Sequence, residues 1–119
     1  MSHQYIKGTI KTIVLKLLAE NHRMYGYEIN QKVKTLSKGE IELTYGALYP
    51  ILYKLESDGL LTTQSEIVEN RARKYYSLTK KGKAVARVKV SELRLFTEVL
   101  NHLLQPDPKG KLSLELWGN

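Results

Sequence analysis

The chain has 119 residues, 42% of them hydrophobic and 26% charged, the balance of one folded domain, or one domain plus an arm, rather than of a disordered chain. Lysine and arginine number 19 and aspartate and glutamate 12, and the net charge of +7 favours partners with negative surfaces, nucleic acid or an anionic membrane face. The absence of cysteine excludes a disulfide framework, a thiolate zinc site and a cysteine nucleophile, and suits a reducing cytoplasm.

No stretch approaches the roughly 18 apolar residues a membrane helix needs, so no membrane partner is expected. The N-terminus, Met1-Ser2-His3-Gln4-Tyr5, carries no apolar signal region. A metal site built of histidines alone would require His3, His22 and His102 to converge from distant places, and neither metal nor cofactor is expected. No G-x-S-x-G, P-loop or G-x-G-x-x-G pattern occurs, and no enzymatic activity is expected.

The segment from Thr9 to Asn21 reads as an amphipathic helix, with Ile10, Ile13, Val14, Leu17 and Leu18 on one face. Tyr25-Gly26-Tyr27 opens a second helix whose apolar positions are Ile29, Val33 and Leu36, stopped by Ser37-Lys38-Gly39. Glu40 to Leu43 alternates polar and apolar, a short strand at most. A third helix runs from Thr44, its N-cap, to about Asp58, with a stripe of Leu48, Ile51, Leu52 and Leu55 and a stop at Asp58-Gly59. Pro50 lies beyond its first turn and removes one helical hydrogen bond, to the carbonyl of Gly46. Leu60–Val68 and Arg73–Leu78 are rich in threonine, tyrosine and β-branched residues and read as a hairpin around Glu69-Asn70-Arg71-Ala72, a turn without glycine. A long helix then extends from about Lys83 to Leu104 and ends before Pro106. The tail alternates Leu112, Leu114 and Leu116 and carries Trp117, the only tryptophan.

The expected fold is mainly α with a small β-hairpin: a winged helix-turn-helix over residues 1–82, a dimerisation helix over 83–105, and a tail over 106–119. In such a fold the third helix enters a major groove and the hairpin lies along the backbone or minor groove. From Asn70 to Lys83 there are six basic residues (Arg71, Arg73, Lys74, Lys80, Lys81 and Lys83) and no acidic one. A charge run is often only a solvated face. Directly after a recognition helix it is also what phosphate contact requires, because neutralised phosphates release counterions. On the third helix Gly46, Tyr49, Pro50 and Tyr53 face largely away from the apolar stripe. Tyrosine hydroxyls can bond phosphate while their rings pack on sugar or thymine methyl groups, and Gly46 would let the helix start approach a duplex closely. The candidate DNA-binding set is Thr44, Tyr45, Gly46, Tyr49, Tyr53 and Lys54 with Asn70, Arg71, Arg73, Lys74 and Tyr75. Arginine, asparagine and glutamine are absent from Thr44 to Gly59, so specificity is expected to lean on Thr44, Tyr45, Tyr49, the wing and DNA shape.

Four segments together resemble the PadR family of bacterial transcriptional repressors. They are Tyr25-Gly26-Tyr27-Glu28-Ile29; Gly46-Ala47-Leu48-Tyr49-Pro50-Ile51-Leu52; Leu55-Glu56-Ser57-Asp58-Gly59-Leu60-Leu61; and Arg73-Lys74-Tyr75-Tyr76-Ser77-Leu78-Thr79-Lys80-Lys81-Gly82. The resemblance covers roughly residues 8–104, accounts for the proline inside the third helix, and is to the short subfamily with a single C-terminal helix. It implies a winged-helix domain followed by a helix that builds a homodimer, binding to imperfect palindromes in double-stranded promoter DNA, and in some members release by phenolic acids or hydrophobic drugs. Two features depart from the family: the wing turn lacks the usual glycine, and the long helix offers Phe96 where the multidrug-binding members carry a tryptophan.

The long helix bears more apolar surface than one small domain can cover. Leu93, Phe96, Leu100 and Leu103 repeat at seam-like spacing and are the expected dimer contacts, with Val85, Val88, Leu95 and Val99 elsewhere around it. A small-molecule effector would bind most economically at that interface, near Glu92, Phe96 and Val99; Arg87 and Arg94 could receive an anion or simply be solvated. The alternative reading is a winged-helix module that binds an acidic protein and has no specific DNA site.

Overall fold

The structure, a computed structural model, describes residues 3–108; the expected strand-like pattern of Leu112, Leu114, Leu116 and Trp117 lies outside them. Five helices and three strands follow in the order α1 (His3–Ile6), α2 (Ile10–Glu20), β1 (Met24–Tyr25), α3 (Gly26–Leu36), α4 (Tyr45–Ser57), β2 (Leu61–Val68), β3 (Arg71–Leu78) and α5 (Lys80–Leu104). The helices begin and end close to where the sequence signals place them. Thr9 and Asn21 flank α2, Thr44 Oγ1 caps α4 by accepting the Ala47 N–H at 3.1 Å, and Asp58 closes α4. Pro50 sits inside α4 without ending it; it and Gly46 are exposed, so the carbonyl left without a helical partner faces solvent.

One core holds these elements together. Val14, Leu15 and Leu17 of α2, Ile29 of α3, and Leu48, Leu52 and Leu55 of α4 are fully buried, with Tyr76 and Leu78 of β3 closing the layer from the sheet side. Ile6 is buried as well, which explains the short α1 that periodicity could not find: a single anchor over one turn leaves no repeat. Leu36, expected on the apolar face of α3, is exposed, because the core face of that helix is completed by Ile29 and Val33.

The sheet has three strands, not two, in the order β1-β3-β2, all antiparallel. The third is Met24–Tyr25, pairing with Tyr76 and Tyr75, whereas Glu40–Leu43 forms no strand. Two residues are too short for alternation to register, and here the tertiary pairing decides. The hairpin turn is also tighter than expected. Arg71 and Ala72 belong to β3, paired with Val68 and Ile67, and only Glu69 and Asn70 turn the chain. Both have positive φ, 51° and 63°, the signature of a type I′ turn, which asparagine tolerates and glutamate tolerates less well.

The last helix starts at Lys80, three residues before the expected Lys83. Thr79 fixes that start: its hydroxyl accepts the Gly82 N–H at 3.0 Å and donates to the Gly59 carbonyl at 2.7 Å, while its own N–H donates to the Leu60 carbonyl at 3.0 Å. Lys81 Nζ adds a hydrogen bond to the Asp58 carbonyl. The first half of α5 packs along α2, burying Ala86 and half-burying Val85 and Val90. The second half projects beyond the domain and leaves Leu95, Phe96, Val99, Leu100, Leu103 and Leu104 exposed.

Candidate nucleic-acid interface

The exposed side of α4 is built from three tyrosines at i, i+4 and i+8. The Tyr45 and Tyr49 ring centroids lie 5.6 Å apart and those of Tyr49 and Tyr53 6.4 Å, forming a ladder along the helix. The three are not equivalent. Tyr45 and Tyr53 are exposed, but Tyr49 packs at the edge of the core, its hydroxyl end against Gly26 at the start of α3. A Cβ at residue 26 would stand 2.7 Å from that hydroxyl, so Gly26 is what lets α3 and α4 cross here. Tyr49 is therefore partly a packing residue; the rest of the expected outward set, Gly46, Pro50 and Tyr53, faces solvent, and so does Tyr45. Thr44 is exposed with its hydroxyl engaged as the cap, and Lys54 is exposed and ion-paired along the helix with Asp58 at 3.2 Å.

The ladder leads onto the wing. Lys74 Nζ lies 5.5 Å from the Tyr53 ring centroid and 3.8 Å from Glu56, whose other oxygen accepts the Thr63 hydroxyl at 3.2 Å. Beneath them Tyr76 is 1% exposed, and burial, with Tyr49, Tyr53 and Glu56 adding to it, pushes its hydroxyl up to about 12.

Strand alternation divides the wing cations between two faces. Cross-strand pairing puts Lys74 and Ala72, with Ser65 and Ile67, on the side facing α4, and Arg71, Arg73 and Tyr75, with Val68, Glu66 and Gln64, on the other. On that outer face the Arg73 guanidinium lies 4.4 Å over the Tyr25 ring and is half-buried. A hydrogen bond with Tyr75, helped by the fields of Tyr25, Tyr75 and Glu69, raises its already high pKa. Arg73 and Lys74 thus stay at the surface but cannot serve one contact together. Arg71 and Asn70 are exposed at the tip. An eight-residue strand spans about 26 Å, so the tip and the lysines at the start of α5 form separate basic patches.

Beside this face, α3 presents polar side chains that lie outside the set expected from the sequence. An open groove of about 390 Å³ separates α3 from the start of α4, lined by Tyr27, Asn30, Gln31 and Lys34 on one side and Leu43, Thr44 and Tyr45 on the other. Asn30 Oδ1 is buried there without a hydrogen-bond partner, and Lys34 pairs with Glu42 at 3.0 Å. The four α3 positions fall at i, i+3, i+4 and i+7. That polar stripe is legible in the sequence once helices are searched for coherent polar faces as well as apolar ones. Asn30 and Gln31 supply the amide side chains that α4 lacks. Among the described residues no cluster of histidine, aspartate and glutamate could hold a metal ion, and no helix is long and apolar enough to cross a membrane.

Comparison with known proteins places this architecture. The model of the transcriptional regulator PadR-like family matches residues 14–88. The transcriptional regulator Rv3488 of Mycobacterium tuberculosis is 32% identical over 81 residues, covering 68% of this chain and 72% of that protein. Among solved structures, a transcriptional regulator from Clostridium thermocellum superposes with a TM-score of 0.76 at 28% identity, covering 86% of this chain and 99% of the other. A PadR family transcriptional regulator from Eggerthella lenta gives 0.69 at 31% identity, covering 87% and 88%. The helix order, the three-stranded sheet and the matched span agree, and the chain belongs to the PadR-like family of transcriptional regulators, with its winged-helix fold.

Proposed function

We propose that the protein is a homodimeric repressor that acts in the cytoplasm and holds a palindromic site in promoter DNA, with α4 in the major groove and the wing along the adjoining backbone and minor groove. The observation that carries this reading is the continuity of the Tyr45–Tyr49–Tyr53 ladder with Lys74, which gives helix and wing one shared face of phenol groups and cation. Tyr45, Gly46 and Tyr53 touch the groove, Lys54 and Lys74 exchange their carboxylate partners for phosphate, and Asn70 and Arg71 engage the backbone from the tip. Arg73 and Tyr75 support the wing from its far side. Pairing through the projecting half of α5 follows from its exposed leucines, 62% for Leu95, 74% for Leu103 and 75% for Leu104. Leu93 is half-buried, while Phe96, Leu100 and Leu103 remain open to a second copy. A twofold pair presents two recognition helices about 34 Å apart, one turn of duplex. Glu92, Phe96 and Val99 are exposed on α5, so an effector site there is enclosed only when the dimer forms.

Titrating the promoter region upstream of the protein's own gene against salt, with footprinting and a solution mass, tests the proposal. The expected result is a dimer, a steep fall of affinity with salt, and two protected segments one helical turn apart. A monomeric mass, or binding indifferent to salt, overturns it.

A further inference from the structure

β1 supports only the base of the wing, through Met24↔Tyr76 and Tyr25↔Tyr75. Beyond Tyr75 the hairpin continues for four more residues on β3, up to Arg71, as a two-stranded ribbon, a structure marginal in water by itself. Such a ribbon twists and bends readily, so something has to fix where its tip points.

On the outer face one side chain reaches past the end of β1. Arg23, in the connection between α2 and β1, forms a two-pronged ion pair with Glu66 across 43 residues of sequence, Nη1–Oε1 2.6 Å and Nη2–Oε2 3.1 Å. Glu66 lies directly opposite Arg73, two pairs beyond the last residue that β1 covers. The Arg23 guanidinium also rests 4.0 Å from the Tyr75 ring centroid, and Arg73 rests on Tyr25, whose ring meets Tyr75 edge-on at 5.5 Å. Two arginines and two tyrosines are thereby interleaved across the seam between β1 and β3, with the Glu66 carboxylate bonded into the stack through Arg23. An acidic residue on a basic wing otherwise works against binding a polyanion.

We infer that Arg23 and Glu66 are positioning residues for DNA binding: their forked ion pair, braced by Tyr75, locks the free-standing half of the wing to the α2–β1 connection and so fixes the tip relative to α4. The inference rests on the DNA-binding reading above and assigns neither residue a contact with the duplex. It makes a prediction opposite in sign to that of simple electrostatics. Glu66→Gln removes a negative charge from the wing, so charge alone calls for tighter binding, whereas a loosened wing calls for weaker binding. Arg23→Lys keeps the charge but cannot form the fork, so charge alone calls for no change.

The test uses the full chain, a mixed-sequence duplex of about 30 base pairs and the promoter fragment, each titrated at several salt concentrations. Glu66→Gln and Arg23→Lys should each weaken binding roughly three- to tenfold and flatten the salt slope by about one phosphate contact. The double variant should be no worse than the weaker single one, as for two residues acting as a unit. Equal or tighter binding by Glu66→Gln overturns the inference, and so does full additivity in the double variant. Amide hydrogen exchange separates this from failure of the DNA reading itself. Even if the wild type binds no duplex, Ser65–Lys74 should exchange faster in Glu66→Gln while α4 and α5 keep their protection, and unchanged protection of the wing ends the proposal.

Discussion

Gly82 is the position at which the structure makes its most demanding statement about this sequence. It lies in the first turn of α5, where a glycine is ordinarily a liability, and alanine should gain up to about 1 kcal/mol from helix propensity. The packing says otherwise. A Cβ at residue 82 would overlap the carbonyl oxygen of Leu60, and would stand 3.0 Å from the Leu60 carbonyl carbon and 3.2 Å from Leu78 Cδ2. Two of those neighbours are backbone and cannot swing aside. Relief requires the start of α5 to retreat by roughly 1.4 Å before carbon and oxygen reach ordinary contact. The retreat disturbs the Thr79 N–H to Leu60 bond, the Lys81 bond to Asp58 and the seat of buried Ala86. Forced overpacking of this kind costs about 1–3 kcal/mol, and a weakened buried hydrogen bond about 1 more. Set against the propensity gain, Gly82→Ala should destabilise by about 2 kcal/mol, or roughly 8–16 °C in Tm for a domain of this size. Thermal and urea unfolding at one fixed protein concentration, to hold any dimer equilibrium constant, would measure it. A variant as stable as the wild type would refute the reasoning, because propensity would then have outweighed a backbone clash.

Gly46→Ala is the counterpart. The nearest atom to a Cβ there is Thr44 Oγ1 at 3.8 Å, so the variant should gain a few tenths to about 1 kcal/mol in unfolding experiments yet bind duplex less tightly, because its methyl group stands on the face proposed to meet DNA. Leu95→Asp and Leu103→Asp should leave the far-ultraviolet circular dichroism intact and convert the proposed dimer to monomer in sedimentation, since both side chains are largely exposed in the single chain. Tyr76 gives an alkaline signature. Its folded value of about 12 lies above the ordinary 10, so its contribution is complete below pH 10 and is lost as pH rises through 12. That loss amounts to at most about 2–3 kcal/mol, and Tyr76→Phe should remove that part of the pH dependence. Glu69→Gly should stabilise the hairpin turn by up to about 1 kcal/mol by relieving the positive φ at that position.

Helices α2, α3 and α4 were legible because each writes its boundaries locally, and α5 was legible apart from its first three residues. Thr44, Asp58 and Thr79 act through atoms within a few residues of themselves or at the adjoining turn, and the stripe Leu48-Leu52-Leu55 repeats at the helical period. What escaped depends on contacts distant in sequence. β1 is a strand only because β3 lies beside it, and the outward angle of Tyr49 on a helical wheel gave no hint that Gly26, 23 positions earlier, opens a place for its hydroxyl. The Arg23–Glu66 pair likewise joins two segments that no local pattern connects.

The charge shows the same division in a form that bears on mechanism. A net charge of +7 suggests a broad cationic surface, but many of the cations are already engaged. Lys34 pairs with Glu42, Lys54 with Asp58, Lys74 with Glu56 and Arg23 with Glu66, and all four pairs lie on the helices, connection or wing around the proposed interface. The first three are single-point contacts of exposed lysines, the kind of pair that contributes little and can be exchanged for phosphate. The fourth is forked and stacked on Tyr75, and exchange there would forfeit two hydrogen bonds and the ring contact at once. Lysines that trade a carboxylate for a phosphate gain less than lysines that were free, since they break one ion pair to make another. They also place an acidic residue next to the duplex unless it moves away. Arg71, at the wing tip and without an ion pair among the described residues, has no such competition. Arg71→Ala should therefore weaken duplex binding more than Lys54→Ala or Lys74→Ala, although the sequence presents all three as equivalent members of one basic surface.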